Sequence, residues 1–268
     1  MLKIFLEISR KMEKITSAQL AELINLDKLT SDQIDELRND PRSTISKLIK
    51  KWDKLQLEKA RVQTLYHYEF QLKKKGINFI AGVDEAGRGP LAGPVVVASV
   101  ILPLGIHIPY INDSKKLSQN RRETIYQFIL DHAIKIKRAV ISEKVIDEIN
   151  IYQATIQGMY QVIDELQPQV EAVLIDAVKL DKLAVPSISI IKGDALSASI
   201  AAASIVAKVE RDRLMDEIDK KYPMYGFAKN KGYGTAEHIQ AIQTYGACEF
   251  HRRTFEPIKS LEVSNQCR

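Results

Sequence analysis

Only two cysteines, Cys248 and Cys267, occur in 268 residues. A disulfide framework and a paired-cysteine zinc site are therefore both excluded, and a reducing, cytoplasmic setting is expected. Long apolar runs are missing as well: no stretch approaches the ~20 residues needed to span a bilayer. The mildly apolar opening at residues 1–8 carries Lys3 and Glu7 and is followed by Arg10 and Lys11, which leaves no space for a signal-peptide core. Secretion and membrane insertion are not expected. The five histidines, His67, His107, His132, His238 and His251, show no metal-ligand spacing, so zinc is disfavoured. The glycine–lysine loop that cradles phosphates in nucleotide hydrolases is absent, and so are internal repeats and low-complexity tracts.

What is present is an ordinary globular balance, with 45% hydrophobic and 27% charged residues. The length allows one large α/β domain and a smaller appendage, since single cores rarely grow past roughly 250 residues. The net charge of +5 is placed unevenly: residues 1–78 hold 16 Lys+Arg against 11 Asp+Glu, and the remainder holds 23 of each. A basic appendage beside a neutral body suits a partner carrying phosphates, although a lysine-bearing helix face is more commonly just solvated.

Residues 1–78 carry no strand signal and read as helices. One helix spans Ser17 to Leu26, and a second opens at Thr30 with a capping-box partner at Gln33. A third starts at Asp40-Pro41, carrying Ile45, Leu48, Ile49, Trp52 and Leu55 on one face and Lys47, Lys50, Lys51 and Lys54 on the other. Trp52 shares the apolar register and is read as a core anchor rather than a base-stacking platform. The lysine face is expected to bind duplex phosphates.

From Phe79 the pattern changes to short β-rich runs at Phe79–Asp84, Val95–Leu102, Lys137–Ser142, Ala172–Asp176 and Ser187–Ile190. The first two are joined by a glycine-rich turn and are expected to form a hairpin. Helical stretches separate the later ones and imply parallel pairing. The expected fold is therefore α/β: a mixed sheet flanked by helices, with a helical extension at 1–78, a main domain at 79–258 and a tail at 259–268. Helix Ser197 to Tyr222 begins with small residues, Ala201-Ala202-Ala203-Ser204, and should press closely on the sheet. A loop from Pro223 to Gly234 and a last helix from Thr235 to Tyr245 follow.

The chemistry is concentrated in acids at strand ends. In Gly82-Val83-Asp84-Glu85-Ala86-Gly87-Arg88-Gly89-Pro90 an apolar strand runs into two adjacent carboxylates and a glycine-rich turn. Neighbouring strand residues face opposite ways, so Asp84 and Glu85 share a site only if the strand bends or ends between them. Asp176 closes another strand, and Asp194 follows a third in Lys192-Gly193-Asp194. Each alone could be a cap or turn residue. Together, clustered carboxylates repel one another unless cations intervene, which makes an all-oxygen site for Mg²⁺ or Mn²⁺ and points to phosphoryl chemistry.

The run from Ala81 to Leu102, AGVDEAGRGPLAGPVVVASVIL, resembles the opening motif of the ribonuclease HII family. The likeness continues in order through Asp113-Ser114-Lys115-Lys116-Leu117, Leu174-Ile175-Asp176-Ala177 and Lys192-Gly193-Asp194. It then runs on through Ser199 to Ser204, Ala207-Lys208-Val209, Arg211-Asp212-Arg213, Gly232-Tyr233-Gly234-Thr235 and His251-Arg252. Arg88 separates the chain from the sister family, ribonuclease HIII. Gly234 stands where proline is common, and the segment before His251 is less proline-like than usual.

The resemblance implies a ribonuclease H-like fold in which Asp84, Glu85, Asp176 and Asp194 are catalytic and bind two divalent ions, Mg²⁺ or Mn²⁺. It implies that Gly87, Arg88 and Gly89 read a ribose 2′-hydroxyl and the phosphate beside it, that Tyr233 packs on the next sugar, and that Lys115 contacts phosphate. The substrates would be RNA/DNA hybrids and duplex DNA containing ribonucleotides, acted on by a monomer whose protein partners are unspecified. Asp212, between two arginines, is read as a surface ion-pair partner. A non-catalytic nucleic-acid reader gains nothing from clustered carboxylates, and a hydrolase of small phosphate esters would be distinguished by substrate length.

Overall fold

The computed structural model describes residues 15–261. The opening stretch at 1–8, Cys267 and most of the 259–268 tail lie outside the described residues. The chain divides into two compact units, Met1–Arg61 and Val62–Arg268.

In the first unit, α1 (Ser17–Asn25) and α2 (Ser31–Leu37) each open with a complete capping box, Thr16 with Gln19 and Thr30 with Gln33. Such reciprocal bonds satisfy amides that the first helical turn leaves unpaired. Helix α3 (Ser43–Thr64) starts later than Pro41 because the Asp40 carboxylate accepts from the Arg42 N–H at 2.9 Å and pairs with the Arg42 guanidinium at 2.6 Å, holding a turn there. Trp52 is buried with Leu20, Ile34, Ile45 and Ile49. Lys47, Lys50, Lys51 and Lys54 are all exposed on the other face.

The second unit continues through α4 (His67–Lys73) into five strands: β1 (Ile80–Ala86), β2 (Val95–Ile101), β3 (Lys135–Ile141), β4 (Ala172–Asp176) and β5 (Ser187–Ile190). Their order is β3-β2-β1-β4-β5. The hairpin β1–β2 is antiparallel, and β4 is parallel to both β1 and β5, as expected. β3 departs from expectation: it is antiparallel to β2 although α5 (Gln119–His132) lies between them. The connection returns the chain to the end where β2 stopped, Ile134 N–H donating to the Ile101 carbonyl at 2.8 Å, so β3 must run back.

Helix α6 (Glu143–Asp164) covers one sheet face, where Met159 and Val162 meet Val83 and Val97. Helix α7 (Ala198–Lys221) covers the other, where Ala202 and Val206 meet Ala98 and Val100. Ser197 caps α7 by accepting from Ile200 N–H at 3.2 Å. Close approach is the reason for the small residues: a Cβ at Gly82 would lie 2.0 Å from the Ser199 carbonyl carbon. The loop after α7 contains the single-turn helix α8 (Phe227–Asn230) and leads to α9 (Ala236–Tyr245), capped by Thr235. Among the described residues no helix is long and apolar enough to cross a membrane.

Candidate active site

The acids meet at the carboxyl ends of the two central parallel strands, where ligand sites gather in open α/β sheets. The β1–β4 pairing ends at Val83↔Ile175, and Asp84 and Asp176 each follow directly. Asp84 and Glu85 do not meet because β1 ends between them. That strand stays paired with β2 through Ala86↔Val96, and it is the parallel partner β4 that stops, leaving the sheet open on that side. Asp194 sits in a 3₁₀ turn, Gly193–Ala195, just before α7.

Asp84 is only 4% exposed. Burial raises its pKa well above the usual carboxylate range, and the charges of Glu85 and Asp176 add to this, while hydrogen bonds from Ser204 and from the Glu85 N–H (2.7 Å) act the other way. Burial also raises Glu85, against the pull of Arg88, whose Nη1 lies 3.3 Å from Oε1. The second oxygen, Glu85 Oε2, is buried with no partner. Asp194 is raised by burial and by the nearby charges of Asp113 and Asp176. Burial pulls the Lys115 ammonium down, but Asp113, Asp194, Asp84 and Asp176 outweigh it and raise its pKa.

Electrostatic repulsion links Asp84 and Glu85 to Asp176, and Asp194 to Asp113 and Asp176. Among the described residues no group of three or more His, Cys, Asp or Glu side chains stands ready to hold a metal ion; Asp176 Oδ1 accepts from Gly193 N–H at 2.6 Å and Asp84 Oδ1 from Glu85 N–H at 2.7 Å. An all-oxygen donor set that includes an orphaned buried carboxylate oxygen suits a hard divalent cation.

Beside the acids lies a cavity of about 370 Å³ whose wall contains Glu85, Gly87, Arg88, Gly89, Lys115 and Tyr233. Every expected substrate-contacting residue therefore borders one space. Gly87 has φ +102, and a side chain there would meet Arg211 Nε at 2.1 Å; only glycine meets both conditions. Tyr233 is 45% exposed, and its ring passes 3.8 Å from where a Gly89 Cβ would be. Lys115 is set by a 3₁₀ turn that Asp113 caps, accepting from Lys115 N–H at 2.9 Å, with Ser114 Oγ 3.0 Å from Ser204 Oγ. A larger groove of about 510 Å³ near Tyr110 and Arg121 contains no acid. Asp212 is an ion-pair partner, but of Lys208 at 2.7 Å and Arg122 at 3.6 Å rather than of the arginines beside it in sequence.

Sequence reasoning missed the support behind this wall. Arg211 and Arg252 are 1% and 0% exposed, and their guanidiniums donate to carbonyls of the 87–94 segment, among them Pro94 and Ala92 from Arg211 and Gly87 and Arg88 from Arg252. Both belong to stretches that resemble the family, but the pattern in one dimension gave neither a role. Burial lowers both, Arg252 to about 9. His238 and His251 form a second buried pair, Nε2 to Nε2 at 3.1 Å, and burial lowers both, His251 to about 4.

The same fold is found in solved structures. The ribonuclease H2 from Pyrococcus horikoshii is 26% identical with a TM-score of 0.62, over 70% of this chain and 99% of that one. Bst-RNase HIII in complex with Mn²⁺ is similar at a TM-score of 0.55 and 20% identity, over 71% of each chain. The likeness to the Pyrococcus horikoshii ribonuclease H2, together with the family matches that follow, places the chain among enzymes of the ribonuclease H class. A model of ribonuclease HII matches residues 81–258, and one of the ribonuclease HII N-terminal domain matches residues 7–73. The ribonuclease HII of Bacillus mycoides is 49% identical over 93% of this chain and 99% of its own length, and that of Bacillus cytotoxicus is 49% identical over 93% and 98%. The chain belongs to the ribonuclease HII family.

Proposed function

We propose that this endoribonuclease hydrolyses the RNA strand of RNA/DNA hybrids and cuts on the 5′ side of ribonucleotides embedded in duplex DNA, leaving a 3′-hydroxyl and a 5′-phosphate. The observation that carries the reading is the shared cavity: Glu85, one of the strand-end carboxylates, borders one space with the Gly87–Gly89 turn and Tyr233. Asp84, Glu85, Asp176 and Asp194 would hold two Mg²⁺ or Mn²⁺ ions, which supply activation of water and neutralisation of charge at the phosphate.

The chain's own residues do the rest. Gly87 and Gly89, without side chains, let backbone amides approach a 2′-hydroxyl, the group that distinguishes RNA from DNA. Arg88 and Lys115 offer charge to the adjacent phosphates. The half-exposed Tyr233 ring stacks on the following sugar and excludes water there. Raised pKa values at Asp84, Glu85 and Asp194 mark a site that gains stability when cations arrive.

The test is a duplex with a single ribonucleotide, incubated with Mg²⁺, with Mn²⁺ and with EDTA. Metal-dependent cleavage 5′ to the ribonucleotide is expected. A 2′,3′-cyclic phosphate product would mean that the 2′-hydroxyl, not water, had attacked, and would refute the reading.

A further inference from the structure

The Gly87–Gly89 turn and Tyr233 come from distant parts of the chain, yet residues 250–252 are bonded to the turn's segment directly and to Tyr233 through His238. Arg252 Nη2 donates to the carbonyls of Gly87 (2.6 Å) and Gly93 (2.8 Å), Nη1 to that of Arg88 (3.0 Å) and Nε to Gly93 again (3.0 Å). Its backbone N–H donates to the Leu91 carbonyl at 2.9 Å, and the Phe250 carbonyl accepts from Gly93 N–H at 2.8 Å. A guanidinium presents its donors in a rigid plane, so it fixes the directions of the carbonyls it binds.

Peptide geometry converts this into a statement about the cavity. In a trans peptide the C=O and the following N–H point in opposite directions. With the Gly87 and Arg88 carbonyls drawn to Arg252, the N–H groups of Arg88 and Gly89 point away from it, toward the space that Gly87, Arg88 and Gly89 line.

The histidine pair does the same for Tyr233, and its proton positions follow from its partners. Cys248 N–H donates to His251 Nδ1 at 2.9 Å, so that nitrogen carries no proton. His238 Nδ1 lies 2.9 Å from the Tyr233 carbonyl, which can only accept, so His238 Nδ1 is the protonated nitrogen. The one hydrogen between the rings therefore belongs to His251 Nε2 and is donated to His238 Nε2. A continuous relay runs from Cys248 through His251 and His238 to the backbone of Tyr233. His251 is also bridged to Ala92 in the same segment that Arg252 holds.

We propose that His251 and Arg252 are positioning residues for ribonucleotide discrimination. Arg252 aims the Arg88 and Gly89 amides into the cavity, His251 holds Tyr233 through His238, and their adjacency in the chain keeps turn and ring in one register. The proposal rests on the reading that this turn and Tyr233 contact substrate.

The experiment uses the full chain with His251→Phe, which keeps a ring but not the donor, His251→Gln, which can still donate toward His238, and Arg252→Lys, which keeps the charge but not the fork. Binding to a single-ribonucleotide duplex and to an all-DNA duplex of the same sequence is measured by fluorescence anisotropy with EDTA, and kcat and KM are measured with metal. His251→Phe and Arg252→Lys should each lose about tenfold or more of the binding preference, within the roughly 10²-fold that a 1 Å misplacement can cost. The loss should appear in KM for the single-ribonucleotide duplex rather than in kcat for a continuous hybrid, and His251→Gln should stay within about twofold of the unmodified protein. A wild-type preference in a folded His251→Phe overturns the proposal. If that variant does not fold, a wild-type preference in Arg252→Lys overturns it. Tyr233→Ala separates the two levels: if it leaves discrimination unchanged, the underlying reading fails, and if it abolishes discrimination while the other variants retain it, only the positioning role fails.

Discussion

Replacing His251 by Gln should make the protein less sensitive to acid, by an amount the structure sets. Burial, with the His238 ring opposite, lowers His251 from the ordinary value of 6.5 to about 4. Below pH 6.5 the unfolded chain takes up a proton that the folded chain refuses until about pH 4. The unfolded state then binds more protons, so stability falls as pH falls through this window. At about 1.4 kcal/mol per pH unit, the loss attributable to this one ring is roughly 2 kcal/mol at pH 5 and approaches about 3 kcal/mol near pH 4. Glutamine does not titrate there and keeps the donor toward His238. The buried acids Asp84 and Asp194, whose raised values work in the opposite direction as they protonate, are common to both proteins and cancel. Thermal melts of the two at pH 7.5 and pH 5 isolate the effect. For a domain of this size 1 kcal/mol moves the midpoint by about 2–4 °C, so the native protein should lose about 4–8 °C more than the variant on acidification. Equal losses in both would show that His251 titrates near its ordinary value in the folded protein, and the argument from its burial would be wrong.

Asp84→Asn and Asp176→Asn should each cut turnover by about three orders of magnitude or more and abolish the Mn²⁺-induced rise in melting temperature, because a lost ligand unsettles ion placement; Asp212→Asn, an ion-pair partner of Lys208, should keep most activity, and an equal loss there would mean a wrong choice of acids. Gly82→Ala places a methyl 2.0 Å from the backbone of Ser199, where neither element can yield locally, and should cost about 3 kcal/mol or more; a melt within 2 °C of the native protein would contradict the packing. Replacing Lys47, Lys50, Lys51 and Lys54 together by Ala should flatten the dependence of hybrid affinity on salt, each lost phosphate contact lowering the log–log slope by about 0.9, and should raise KM with little change in kcat. Identical slopes would leave these lysines as a solvated face.

Much of this protein is legible one residue at a time. The capping box at Thr30 and the apolar stripe that buries Trp52 depend on spacings of three and four residues, and short apolar β-rich runs mark the five strands, all of which the chain itself displays. The acids were legible too, because Asp84 and Asp176 stand where apolar runs stop, and strands that pair in parallel bring their ends together. Three-dimensional contact decided the remainder. The reversal of β3 turns on where a long connection returns the chain, which no local pattern encodes. That Asp84 and Glu85 both bear on Asp176 although their strand runs on to Ala86 is visible only in the fold. Arg211, Arg252, His238 and His251 look like ordinary polar residues in one dimension; only folding strips them of water and leaves backbone carbonyls and each other as partners. Burial converts residue type into direction and protonation state, and burial is a property of the whole chain.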